Sequence, residues 1–233
     1  HLPAAAFTAP AVANCHQVIE EIRSQVSAKK SSYASKTNFE EVLRAELTLH
    51  SISSNTQVVF YFHESQRTGN PQLMTAAYEL RDEKMALIFT KLRDHLSRNI
   101  KAIIYAHNWH IAAQTDIHPY PIKARSFGTL MKLQHQKLYK SVGAIAYKIE
   151  VNQELFPFQP APPPTVPNSL EKILFDRGLS GAILDTREDF LGTNFFNLQD
   201  SGANFGTLIP QNHYDALIYF KHSGPLVLST STL

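Results

Sequence analysis

The chain of 233 residues is 43% hydrophobic and 18% charged, which is the composition of a folded globular protein. Basic residues exceed acidic residues by only 22 − 20 = 2 and form no long run, so neither nucleic acid nor a membrane is expected as a partner. The single cysteine, Cys15, excludes an internal disulfide, and no apolar stretch approaches the roughly 20 residues that cross a bilayer. Since a charged signal-peptide region is also lacking, a cytoplasmic location is expected.

The first 100 residues are predicted to be mainly helical. Apolar residues recur at helical spacing over 11–29, and Asn38 is a plausible N-cap for a second helix. The run QVVFYFH, residues 57–63, is ambiguous, because β-branched and aromatic residues suit both a strand and a buried helix. Pro71 begins a long amphipathic stripe, which predicts a further helix and includes Arg81 with Asp82 beside it.

Residues 101–155 are predicted to form a core strand–helix–strand unit. The apolar run 102–106 is predicted to be a strand buried on both faces, followed by a helix over about 126–136 and a strand over 141–149.

A proline-rich connector covers residues 156–168 and leads to the remaining sheet strands in 169–233. Ser169 is predicted to cap a short helix that Gly178 ends, and strands are predicted over 181–185 and 215–222. Alternating strands and helices favour an α/β fold, with a mainly parallel sheet, flanking helices and a helical insertion.

The motif HNWH, residues 107–110, directly follows the predicted buried strand. Ligands of open parallel sheets bind at the carboxyl ends of strands, and a helical turn here would let His107 and His110 face one cleft. Histidine serves as a general base or acid, and Asn108 could orient an imidazole or donate to an oxyanion. The alternative is that these are ordinary loop histidines, since the chain has 11.

A zinc site is the weaker chemical alternative for the same motif. HxxH differs from the i, i+4 pair of HExxH, and a catalytic zinc normally has three protein ligands, for which His118 is a candidate. Because the ligand count and spacing are wrong for zinc, we expect no tightly held metal. No phosphate loop, GxSxG elbow or dinucleotide fingerprint is present, so we expect no other cofactor.

Two Arg–Asp pairs are further candidates. A guanidinium on the core-facing stripe of a helix is costly unless it is paired, so Arg81 either binds a ligand carboxylate or forms a structural ion pair. Arg187, near Asp185 at the end of GAILDTR, makes a similar pair for which the structural interpretation leads.

Several motifs occur in the order expected of erythromycin-esterase-like proteins, some of which carry the name succinoglycan biosynthesis protein. They are RDEKMA (81–86), IIYAHNWHI (103–111), SFGTLM (126–131) and KLYKSVGAIAY (137–147). The chain resembles this family from about residue 71 to 225, and residues 11–65 are compatible with its helical insertion. The resemblance implies an α/β core and metal-independent hydrolysis of a small-molecule ester or lactone at a histidine-centred site. Macrolides are one choice of substrate among many esters.

The resemblance also implies roles for individual residues. The AHNxH and RDxxM elements place catalytic roles on His107, His110 and Arg81. The implied substrate-binding or supporting residues are Asp82, Asn108, Trp109 and Arg187.

Two departures from the family pattern stand out. Phe127 occupies a position where the family usually has Met, and the GExxHG loop that supplies a catalytic histidine and glutamate is absent from the 233 residues. The chain is therefore interpreted as the C-terminal portion of one such domain, inactive alone. The alternatives are a non-catalytic binding or structural remnant of the fold, and a metal-dependent hydrolase using His107, His110 and His118.

Overall fold

The protein is described by a computed structural model that covers residues 8–96, 100–114, 124–150, 163–164, 166, 168–188, 191, 194, 196–200 and 204–224. The chain forms two compact units, the first made of His1–Ile104 with Ile122–Phe127 and the second of Tyr105–Pro121 with Gly128–Leu233. His118 and most of the proline-rich connector lie outside the described residues.

The first unit is helical, as predicted. Its helices are α1 (Ala9–Ala28), α2 (Lys30–Ala34), α3 (Phe39–Thr68) and α4 (Pro71–Leu96). The side chain of Asn38 caps α3 by accepting a hydrogen bond from the Glu41 N–H at 2.8 Å, and Gly69 ends the helix at a φ of 68°. None of the helices in the described ranges combines the length and apolar character needed to cross a membrane.

The ambiguous run 57–63 lies inside α3 and is helical. Val58 is buried, and the Phe62 ring meets the Tyr78 ring of α4 edge-on with centroids 5.3 Å apart. Packing of one face of α3 against α4 therefore outweighs the strand preference of the β-branched and aromatic residues, since most helical stability in proteins comes from such tertiary contacts.

The second unit contains a three-stranded sheet in the order β1 (Val142–Ile149), β5 (Ala216–Ser223) and β2 (Gly181–Asp185). The α/β class is confirmed, and β1 runs parallel to β5, but β2 is antiparallel to it, so the sheet is mixed. A separate antiparallel pair, β3 (Phe196–Asp200) and β4 (Asn204–Leu208), was not foreseen from the sequence.

Among the described residues after Ile104, the short α-helices are α5 (Asn108–Ile111), α6 (Phe127–His135), α7 (Leu170–Asp176) and α8 (Pro210–His213). Ser169 caps α7, and Gly178 follows it at a φ of 76°, as predicted.

The two faces of the three-stranded sheet differ sharply in burial. Leu217 and Tyr219 are fully buried on one face, where they belong to the same apolar cluster as Leu170 and Leu174 of α7. The opposite face carries Ile183, which is 79% exposed although it pairs with the central strand.

The prediction of a strand over residues 102–106 was wrong. The segment is neither strand nor helix, and Ile103 and Tyr105 are fully exposed. An apolar run becomes a strand only if a neighbouring strand takes its hydrogen bonds. At the edge of β1 that β5 does not occupy, the side chain of Asn108 bonds to the backbone of Ala144 instead.

Candidate active site

The HNWH motif forms a single helical turn, α5, immediately after His107. His107 acts as its N-cap: its Nδ1 accepts a hydrogen bond from the Trp109 N–H at 3.4 Å, and its carbonyl accepts one from the His110 N–H at 2.9 Å. The helical turn considered at the sequence level is therefore present.

Asn108 joins this turn to the sheet. Its side-chain nitrogen donates to the Ala144 carbonyl at 2.6 Å, and its side-chain oxygen accepts from the Ala144 N–H at 2.9 Å. These are the two bonds that a neighbouring strand would make, so Asn108 supports the site by docking it on β1.

The far end of the turn is held at the carbonyl of Ile111. The hydroxyl groups of Tyr139 and Ser141 both donate to this oxygen at 2.7 Å. Burial raises the pKa of Tyr139 to about 12, and the nearby Asp215 carboxylate adds to the increase. Tyr139 therefore remains a protonated donor across the physiological range.

Gly128 explains why SFG is part of the motif set. A Cβ at this position would overlap the backbone of Ile111 and lie 2.5 Å from the Ala112 oxygen. Only glycine lets α6 pass this close to the chain leaving HNWH.

The residues after the turn are fixed by the segment that precedes β5. The Ala113 N–H donates to the His213 carbonyl at 2.8 Å, and the His213 ring Nδ1 lies 2.9 Å from the Gln114 oxygen. His213 is only 2% exposed. Neither composition nor spacing pointed to this long-range contact.

Asp215 ties the start of β5 to the start of β1. Its carboxylate accepts from Lys140 Nζ at 2.9 Å and from the Ser141 N–H at 3.0 Å. Burial alone would raise the pKa of Asp215, but these two donors more than compensate and hold it below its ordinary value. Ser141 thus serves both this contact and the Ile111 carbonyl.

Two neighbouring rings of the motif, those of Trp109 and His110, contact each other. The Trp109 and His110 rings meet edge-on, with centroids 5.2 Å apart, and Trp109 packs against the apolar core of the second unit. His110 is half-buried.

Arg81 and Asp82 belong to the first unit. Asp82 is fully buried and accepts a hydrogen bond from the Phe127 N–H at 2.7 Å. Arg81 is half-buried, with its Nε 3.5 Å from an Asp82 oxygen and its guanidinium 4.9 Å from the Tyr78 ring centre. Asp82 thus has a structural contact, and a cleft shared by Arg81 and His107 stays a prediction.

Arg187 is engaged locally. Its Nε donates to Asp185 at 2.8 Å, and this interaction lowers the pKa of Asp185 to about 2. The contact favours the structural interpretation. Among the described residues no three His, Cys, Asp or Glu side chains are grouped to hold a metal ion, and the third proposed ligand, His118, is not among them.

Comparisons with solved structures place this fold among known ones. The structure is similar to that of a Bacillus cereus protein (TM-score 0.71, 16% identity, 93% of this chain and 53% of that chain covered). It is similar to an erythromycin esterase EreC mutant in its open conformation (TM-score 0.69, 13% identity, 92% and 54% covered). A succinoglycan biosynthesis protein is also similar (TM-score 0.59, 14% identity, 91% and 53% covered). The chain thus spans about half the length of these structures.

At such low identities these likenesses show the fold alone. The search among curated proteins found no match. The family model described as erythromycin esterase matches residues 4–223, which is nearly the whole chain. The chain therefore belongs to the erythromycin esterase family.

Proposed function

We propose that this chain supplies the HNWH part of a metal-independent hydrolase that cleaves an ester or lactone bond. The observation that carries the proposal is the fixation of the HNWH turn, with Asn108 on β1 at one end and Tyr139 and Ser141 on the Ile111 carbonyl at the other. Catalytic groups need such support, because small displacements of a base or donor cost large factors in rate.

The hydrogen bonds of the turn support different roles for its two histidines. Because Nδ1 of His107 accepts from the Trp109 N–H, a neutral His107 carries its proton on Nε2. That N–H can donate to a developing oxyanion but cannot accept a proton. We propose that His110 is the general base that activates water. Arg81 is proposed as a further oxyanion donor only because it belongs to the RDxxM element.

The remaining catalytic groups are proposed to lie outside these residues. The chain spans about half the length of the solved structures it resembles, and it lacks the GExxHG loop to which the resemblance assigns a histidine and a glutamate. We therefore treat it as the C-terminal portion of one domain, with a small-molecule ester or lactone as substrate.

The test compares the 233-residue chain with the complete product of its gene, using p-nitrophenyl acetate and a macrolide lactone as substrates. We expect hydrolysis by a product that includes GExxHG and little by the chain alone. His107→Ala or His110→Ala in that product should lower turnover by about 10²–10⁴-fold. The control is His222→Ala, which removes a half-exposed histidine paired with Glu150.

Other outcomes would favour the competing functions. A folded product without activity would indicate a binding or structural remnant of the fold. Activity that a chelator abolishes, and that His118→Ala also removes, would indicate a metal-dependent hydrolase.

A further inference from the structure

A cavity of about 370 Å³ opens between α3 and α4, entirely within the first unit. This volume lies in the range of small-molecule sites. The residues that line it lie on α3 and α4, so regular helices and not loops form its walls.

Positive charge is concentrated in this cavity. Arg81 and Lys84 of α4 both line it, and none of the lining residues is acidic. The Asp82 carboxylate lies 3.5 Å from Arg81 Nε and offsets one of these two positive charges, so a net positive charge remains in the cavity at Lys84.

The opposite wall offers neutral polar groups. Ser51, Ser54 and Asn55 of α3 face the cavity, and Ser54 already donates to the Ser51 carbonyl. Among the described residues, Arg81 Nε is buried and makes no hydrogen bond, and its ion-pair partner Asp82 lies 3.5 Å away. An anionic oxygen in the cavity could make the charge-assisted hydrogen bonds to the guanidinium that Asp82 does not make.

The rest of the lining is apolar. Val58 of α3 is buried, and Met85 and Ile88 of α4 continue the same surface. A charged rim with an apolar floor suits a molecule that has both an anionic group and a hydrocarbon or aromatic part.

The titration of a neighbouring histidine agrees with this charge distribution. Burial lowers the pKa of His50, and the charges of Arg23, Lys91 and Lys84 lower it further, whereas Glu20 opposes them. The environment of α3 next to the cavity is therefore positive.

We propose that the cavity between α3 and α4 binds a small organic anion, with the carboxylate or phosphate at Arg81 and Lys84 and the apolar part against Val58 and Met85. The cavity shares Arg81 with the proposed hydrolysis, but the binding prediction does not depend on it, because an anion should bind whether or not the chain cleaves any ester.

The test is isothermal titration calorimetry on the 233-residue chain at low ionic strength, with benzoate and phenyl phosphate as probes and benzamide as the neutral match. Benzoate should bind with millimolar or tighter affinity, and benzamide at least about tenfold more weakly, because benzamide lacks the charge that Arg81 and Lys84 attract. Lys84→Met should weaken benzoate binding by about fivefold or more. The exposed Lys36→Met is the matched control and should leave binding unchanged.

A second variant tests the location without removing charge. Ser51 is exposed at the cavity mouth, so Ser51→Phe should preserve the helix and exclude both probes. The proposal is overturned if neither anion binds, if benzamide binds as well as benzoate, or if Lys84→Met and Ser51→Phe retain full affinity with an unchanged circular dichroism spectrum.

Discussion

The side chain of Asn108 pairs with the backbone of Ala144 through two hydrogen bonds, of 2.6 and 2.9 Å, as a residue of an adjacent strand would. One amide side chain thereby occupies part of the free edge of β1 and anchors the turn that carries His107 and His110. This contact is the most direct link between the sheet and the HNWH motif.

Replacing Asn108 should therefore loosen the second unit. Asn108→Ala removes both bonds and leaves the Ala144 groups at a strand edge, so we expect a loss of about 1–2 kcal/mol in the free energy of unfolding. Asn108→Asp should be at least as damaging, because a carboxylate would face the Ala144 carbonyl. Urea titration followed by Trp109 fluorescence measures both. Asn14→Ala, on the exposed surface of α1, is the control, and an equal loss there would contradict this role.

At Gly128, helix propensity and steric packing should have opposite effects on the free energy of unfolding. Alanine is favoured over glycine inside a helix by about 1 kcal/mol, so Gly128→Ala would stabilise α6 if space were available. The added Cβ would overlap the Ile111 backbone, which cannot rotate away as a side chain can. We therefore expect a net destabilisation of about 1–3 kcal/mol. Gln134→Ala, at an exposed position of the same helix, should be neutral or slightly stabilising in the same thermal unfolding assay.

Sequence patterns predicted the elements whose signals are local. Asn38, Ser169 and Gly178 marked helix boundaries correctly, because a cap depends on hydrogen bonds to residues a few positions away. The run 102–106 failed because strand formation requires a partner that no local pattern reveals.

The contacts that hold the candidate site in place could not be predicted from the sequence for a related reason. Tyr139 and Ser141 were part of a quoted motif, but their common acceptor, Ile111, lies 28 and 30 residues away in the chain. His213 bonds to Gln114 across 99 residues. Only the fold brings such pairs together.

The stability of the second unit should depend on pH through Asp215. Its pKa in the folded protein is lowered, so its contribution is fully present above the unfolded pKa of about 4 and is lost as pH falls through the folded value. We expect Asp215→Asn to reduce the free energy of unfolding by about 1 kcal/mol at pH 7 and by much less at pH 3. Urea titrations at both pH values measure the difference. An equal loss at both pH values would mean that the charge of Asp215 does not contribute to stability. Asp176→Asn, in an exposed i, i+4 pair with Lys172, is the control.

The exposed sheet face should make the isolated chain self-associate. Ile183 is 79% exposed, and Val142 and Phe220 on the same face are 44% and 45% exposed. Ile183→Thr keeps the β-branched shape, so it should change the free energy of unfolding by less than about 0.5 kcal/mol while reducing association in sedimentation velocity. Ile145→Thr, on the buried face, should instead cost about 2 kcal/mol. Unchanged association of the Ile183 variant would show that this face is not involved.

Asp82 allows a structural role to be separated from a chemical one. Its carboxylate is fully buried, accepts from the Phe127 N–H at 2.7 Å and lies 3.5 Å from Arg81 Nε. Asp82→Ala should destabilise the first unit by about 3 kcal/mol, because it leaves a buried N–H without its acceptor and Arg81 without its partner. Asp82→Asn retains an oxygen that can accept from Phe127, so it should lose much less stability than Asp82→Ala. If the complete gene product with Asp82→Asn also hydrolyses its substrate at nearly the original rate, Asp82 acts as a structural support. If Asp82→Asn is stable but its turnover is low, the charge of Asp82 is itself needed, through its pairing with Arg81.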